Sequence, residues 1–191
     1  SINMMWRTAK LVREKGLPME VPCIWVFDSV AAMIPHQKLY DKEGKLRDAE
    51  SLNMNDNTAL ARACSQCYPT LKMFAEDCNF TVILLNQIRT KLGVMFGDPT
   101  TTPGGAAAEF YADLRLSLSK KDLAIGTGKD KEVVGFEINS KAVKSKVARP
   151  HQKAKWQILF NVHELGVTID QVATNVDYLT RLGLIEKTGN R

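Results

Sequence analysis

Cys23-Ile24-Trp25-Val26-Phe27-Asp28-Ser29 is the stretch that decides the fold class. Five apolar residues run without interruption and stop at an acid followed by a hydroxyl. A half-exposed strand alternates apolar with polar residues. An unbroken run instead fits a strand covered on both faces, as in a parallel sheet. Upstream, Met4 to Lys15 sets Met4, Met5, Ala9, Leu11 and Val12 on one side of a helix, with Gly16 as its stop and Pro18 behind it. Downstream, Gln37 to Asn57 is polar, turns at Gly44 and reads as an exposed loop. Thr58 to Asp77 is helical, and Pro69 inside it predicts a bend or a division. Phe80 to Leu85 repeats the buried-strand pattern and closes at Asn86-Gln87.

Gly93, Gly97, Pro99, Pro103, Gly104 and Gly105 crowd the next stretch, which predicts a mobile loop. Ala106 to Tyr111 restarts as helix. Leu114 to Leu118 and Val133 to Val147 read as an antiparallel pair around the turn Ala124–Lys129, and Trp156 to Phe160 as a further strand. From Thr168 the spacing of Ile169, Val172, Val176, Leu179 and Leu182 is helical, ending at Gly183. The expected class is α/β: a mostly parallel sheet flanked by helices, with an antiparallel extension. The domain reading is a core over residues 1–160 and the start of a small C-terminal domain over 161–191, where 170–188 also suits a winged-helix appendix.

With 45% hydrophobic and 25% charged residues among 191, the composition is that of a globular chain and excludes a disordered tail. No run approaches a membrane span, and the first residues lack the pattern of a secretory signal. Four cysteines are too few for a disulfide scaffold, so a reducing compartment is expected. The charge is uneven. Residues 86–160 hold 13 basic and 7 acidic residues, net +6, while the remainder is net −1. A local cationic surface of this kind suits a polyanion.

Several residues stand where chemistry is possible. Asp28, at the carboxyl end of a buried strand, suits a water-mediated Mg²⁺ ligand with Ser29 orienting the water; both also suit a helix N-cap. Asn86 and Gln87 end the second strand at the same sheet edge, in reach of a phosphate or simply facing water. Arg89 and Lys91 interleave with Leu92 and Met95, as for phosphate neutralisation and wedging between bases, or as an ordinary amphipathic segment. Lys144 and Lys146 lie two apart, so an extended segment presents both on one face, to a phosphate or to solvent. Gly126-Thr127-Gly128-Lys129 is a turn and not a P-loop: the first glycine is missing and Asp130 stands where Ser or Thr is needed. Cys64 and Cys67 make a single CxxC on a helix, without the second pair that zinc requires.

Together these segments resemble the RecA family of homologous-recombination proteins, bacterial and phage. Val26-Phe27-Asp28-Ser29-Val30-Ala31-Ala32 is similar to its Walker B strand. The run from Leu85 through Asn86-Gln87-Ile88-Arg89-Thr90-Lys91-Leu92-Gly93-Val94-Met95-Phe96-Gly97 to Gly104-Gly105 is similar to the second DNA-binding loop and its approach. Val143-Lys144-Ser145-Lys146 is similar to the lysine strand of the subunit interface. The resemblance implies a RecA-like ATPase fold and a recombinase that loads on single-stranded DNA, assembles into a helical filament and pairs the strand with a homologous duplex. It implies ATP and Mg²⁺ as cofactors, with Asp28 and Ser29 at the metal. Gln87 senses the terminal phosphate, and Lys144 and Lys146 reach ATP on the neighbouring subunit. Arg62, Ser65, Arg89, Lys91, Gly104 and Gly105 are implied as DNA contacts, Leu92 as a wedge between bases, and Phe110 as an aromatic packed into the next subunit. A cytoplasmic setting follows from the same resemblance.

The sequence departs from the family at Thr90, Pro69 and Pro103, and in a longer stretch between Pro35 and Asn57. No G-x-x-x-x-G-K-[ST] occurs, and no counterpart of the family's catalytic Glu precedes Asp28. The expectation is the downstream part of a recombinase core whose P-loop comes from an upstream segment, so that ATP hydrolysis depends on that segment. The alternative is a non-enzymatic DNA-binding paralogue that modulates filaments.

Overall fold

The computed structural model describes residues 2–48, 58–90, 93, 95–97, 99–160, 166–186 and 188. They fall into two compact units, Ser1–Ala112 and Asp113–Arg191. The fold is mixed α/β. No helix among the described residues is long and apolar enough to cross a membrane.

The first unit contains α1 (Ile2–Glu14), β1 (Cys23–Phe27), α2 (His36–Leu39), α3 (Ala59–Asp77), β2 (Phe80–Leu84), β3 (Arg89–Thr90), β4 (Thr100–Thr101) and α4 (Ala107–Tyr111). β1 and β2 pair in parallel, Cys23 beside Phe80 and Phe27 beside Leu84. Their inward side chains, with Met5, Val30, Cys64, Tyr68, Leu71 and Ala107, make the core. Trp6 stacks on Phe74 at 4.8 Å and joins α1 to α3.

The expectation of strands covered on both faces is corrected. Ile24 and Val26 are 67% and 55% exposed, while Trp25 and Phe27 pack inward. An unbroken apolar run records a strand able to be buried on both faces. The described residues cover one of them. Pro69 does not divide α3, which runs unbroken. Proline removes one rung of the helix ladder, but Tyr68 and Leu71 beside it are buried in the core and hold both halves in place. The polar stretch after β1 carries α2 and an isolated bridge between Tyr40 and Leu46, with Gly44 at φ +81° in the turn; its residues 49–57 lie outside the described set.

Arg13 ties this unit together. Its guanidinium donates to the carbonyls of Cys78 (2.8 Å), Val21 (3.0 Å), Asn79 (3.0 Å) and Pro18, and lies 5.2 Å from the Phe80 ring. One side chain thereby joins the end of α1, the entry to β1 and the α3–β2 turn. Charged hydrogen bonds of this kind contribute more than neutral ones. Arg13→Met keeps the stem and removes the donors, and is expected to lower stability by about 2–4 kcal/mol, read as a fall in the urea midpoint with unchanged m-value.

The second unit is a four-stranded antiparallel sheet in the order β5 (Leu114–Ile125), β6 (Glu132–Ser145), β7 (Lys153–Phe160), β8 (Val167–Ile169), followed by α5 (Gln171–Arg181). The expected hairpin is present, with Leu114 opposite Ser145 and Ile125 opposite Glu132. Gly126 sits in its turn, where an added Cβ would run into the Asp130 carbonyl. The helix expected from Thr168 begins later. Thr168 and Ile169 pair with β7, and Asp170 Oδ1 accepts from Ala173 N at 2.8 Å as N-cap. The three-residue spacing of Ile169 and Val172 imitates a helical period across a strand-to-helix boundary. Lys155 bridges Glu137 (3.3 Å) and Asp177 (3.7 Å), and Arg181 pairs with Asp177 at 3.3 Å, which fastens α5 to the sheet. The Asn139 amide, then Lys155, hold the Glu137 carboxyl below its usual range.

Candidate nucleic-acid and nucleotide interface

Asp28 follows β1 directly, and Gln87 lies just beyond the adjacent parallel strand, so both come to the carboxyl edge of the pair. That edge is where open α/β sheets bind ligands. The pairing extends past the strands: Leu85 N donates to Phe27 O at 2.9 Å and Val30 N to Leu85 O at 2.8 Å. The Asp28–Ser29 peptide is cis. Asp28 is exposed, and among the described residues no side chain hydrogen-bonds or pairs with it. Ser29 precedes a short 3-10 turn but its side chain makes no cap bond, so the N-cap alternative gains nothing here. A free carboxylate at a strand end, beside a hydroxyl, is a donor set suited to a hydrated Mg²⁺.

Gln87 Oε1 accepts a hydrogen bond from the Arg89 guanidinium. Asn86 does not present its amide to a ligand: Nδ2 donates to Pro103 O at 2.9 Å and Oδ1 accepts from Gln87 N at 2.9 Å. Its role is to tie the strand end to the far end of the glycine-rich stretch, which sequence spacing did not suggest. β3 and β4 close the same stretch, Arg89 opposite Thr101 and Thr90 opposite Thr100. The excursion between them is thus anchored at both ends. Lys91 and Leu92 lie outside the described residues.

Beyond β4 the chain turns onto α3 at Gly104 and Gly105, with φ of +91° and +68°. A Cβ on Gly104 would stand 2.9 Å from Cys64 Sγ and 3.3 Å from Val30 Cγ1, and one on Gly105 would stand 2.9 Å from Ala61 Cβ. Both the conformation and the close approach require glycine. Arg62 and Ser65 are exposed on the same two turns of α3, and Ser65 Oγ donates to Ala61 O at 2.9 Å. The structure therefore brings Arg62, Ser65, Gly104 and Gly105 to one place. Val30, 1% exposed, links it to the Asp28 edge, because its amide bonds to β2's end and its side chain meets Gly104. Phe110, on α4, is 72% exposed.

Lys144 and Lys146 belong to the second unit. β6 ends between them. Lys146 N donates to Asp113 O at 2.8 Å, and Lys146 Nζ lies 3.5 Å from the Asp113 carboxylate. Arg115 stands opposite Lys144, with a register shift immediately after it.

A family model described as the RecA N-terminal domain matches residues 11–165. The chain belongs to the RecA family. Among RecA proteins, that of Teredinibacter turnerae is 38% identical over 167 residues, 87% of this chain and 44% of the relative. Protein RecA of Rickettsia canadensis is 35% identical over 184 residues, 96% of this chain and 47% of its own length. That of Syntrophus aciditrophicus is 38% identical over 166 residues, 87% and 43%. The chain spans less than half the length of these RecA relatives. Its match to the RecA N-terminal domain crosses both units, from α1 to just past β7.

Proposed function

We propose that the chain is the DNA-gripping part of a RecA-type recombinase acting in recombination and repair. It binds single-stranded DNA, self-associates in a helical filament and, joined to a P-loop segment beyond these 191 residues, couples ATP to pairing with a homologous duplex. The observation that carries this reading is the hydrogen bond between Gln87 and Arg89, one residue at the strand edge and the other at the root of the glycine-rich excursion.

Bound with Mg²⁺, ATP supplies a terminal phosphate and its charge at this edge. Asp28, with Ser29 beside it, would hold Mg²⁺ through water. Gln87 would offer its amide to that phosphate, which would free the Arg89 guanidinium for a DNA phosphate. Two ligands that compete for the two ends of one hydrogen-bonded pair are coupled through it. Arg62, Ser65, Arg89 and Lys91 neutralise or hydrogen-bond the backbone beside the Gly104–Gly105 turn, and Leu92 wedges between bases. None of these contacts reads sequence, since phosphate binding and stacking are indifferent to it. Lys144 and Lys146 reach the phosphates of a nucleotide held by the neighbouring protomer, and Phe110 packs into that protomer.

Fluorescence anisotropy with labelled oligonucleotides tests the reading. Mixed-sequence and homopolymeric single strands are expected to bind alike, and duplex of equal length more weakly. Preference for one duplex sequence would overturn it. Single-strand binding that ignores nucleotide even when the P-loop segment is joined would favour the non-enzymatic paralogue instead.

A further inference from the structure

We propose that Cys64 and Cys67 form a redox-modification site: a peroxide-class oxidant joins them in a disulfide within α3, and the cross-link unseats Gly104 from the helix. Cys64 is 3% exposed, and its sulfur is the surface on which Gly104 rests. Burial, then the neighbouring Cys64, push the Tyr68 phenol well above its usual range. Cys67 lies one turn further along, only partly buried, and all four cysteines of the chain are free thiols. The functional reading uses neither sulfur.

Residues three apart on a helix hold their Cβ atoms about 5–6 Å apart. A disulfide needs about 3.5–4.5 Å. Closing the bond therefore tightens the turn that carries Ser65 and draws the Cys64 sulfur towards Cys67, away from Gly104. The loop end loses its footing, and with it the Asn86–Pro103 bond and the β3–β4 ladder that depend on where the loop end sits.

The chemistry balances. The more accessible Cys67 sulfur attacks hydrogen peroxide, the O–O bond breaks, and sulfenic acid and one water form. The Cys64 sulfur then displaces the hydroxyl from Cys67, and its proton leaves with that hydroxyl as a second water. Two thiols lose two electrons and peroxide becomes two waters; an external thiol reverses the step. Burial, then the neighbouring Cys64, push the Cys67 thiol up, so only a small thiolate fraction attacks at neutral pH and the cross-link forms slowly, under sustained peroxide.

The consequence for DNA rests on the function proposed above, whereas the structural step does not. The test treats the reduced chain with hydrogen peroxide, blocks remaining thiols, maps the peptides by mass spectrometry, and follows hydrogen exchange over residues 100–107 together with single-stranded DNA binding. The expected result is a Cys64–Cys67 cross-link two hydrogens lighter, faster exchange over 100–107 and lost DNA binding, all restored by dithiothreitol. Cys67→Ser should show neither the cross-link nor the peroxide-induced exchange. Cys64 remaining a free thiol, or a cross-link that leaves exchange over 100–107 unchanged, would overturn the proposal. Cross-linking with faster exchange but no effect on DNA binding would uphold the site and count against the DNA reading alone.

Discussion

Gly104→Val is expected to remove the loop from α3 and to cost the first unit about 3–5 kcal/mol. Two effects add. A β-branched residue at φ +91° is strained wherever it stands. The new Cβ also meets Cys64 Sγ at 2.9 Å and Val30 Cγ1 at 3.3 Å, and both belong to the core. Neither can retreat into space, since Val30 is the most buried large side chain described. Gly104→Ala should show the same sign with a smaller loss. Thermal unfolding and hydrogen exchange over residues 100–107 check both variants. If Gly104→Val unfolds at the wild-type midpoint, the seat on α3 does not hold the loop.

On the proposed function, the paired substitution Lys144→Ala, Lys146→Ala is expected to abolish ATP-stimulated assembly of the chain joined to a RecA P-loop segment, while the fold persists. The Lys146–Asp113 pair is half exposed on both sides, and exposed ion pairs contribute about 0–1 kcal/mol. Losing it should barely move the unfolding midpoint. Two cations lost from a phosphate site held between protomers should remove the response to nucleotide. Light scattering with and without ATP reads assembly, and circular dichroism reads the fold. Assembly that responds to ATP as before would remove the lysines from the nucleotide site. Unfolding of the double variant would assign them to the sheet.

Much of the fold was legible because local signals agreed. The run from Cys23 to Phe27 forms a strand over those same residues, and the hairpin from Leu114 to Ser145 turns where its glycines fall. What was not legible depended on partners distant in sequence. Nothing local says that only one face of β1 is covered, or that Tyr68 and Leu71 carry α3 past Pro69. At the site, strand-end logic puts Asp28 and Gln87 just beyond β1 and β2, where they lie. The bond from Asn86 to Pro103 was not legible, because the two are 17 residues apart. The packing of Gly104 on Cys64 could not be read at all, since glycine in a loop signals freedom and here serves close contact.

On the function proposed above, a cationic, glycine-bounded segment grips single-stranded nucleic acid through its phosphates. The direct measurement is the affinity for a single-stranded oligonucleotide against salt, for the wild type and for Arg62→Ala, Arg89→Ala, Lys91→Ala combined. Each phosphate neutralised on a single strand contributes about −0.7 to the slope of log affinity against log salt. The wild type should therefore weaken by on the order of tenfold or more between about 50 and about 200 mM salt. The triple variant should bind more weakly, with a slope shallower by about 2. Equal slopes for the two proteins, or wild-type binding indifferent to salt, would contradict the claim.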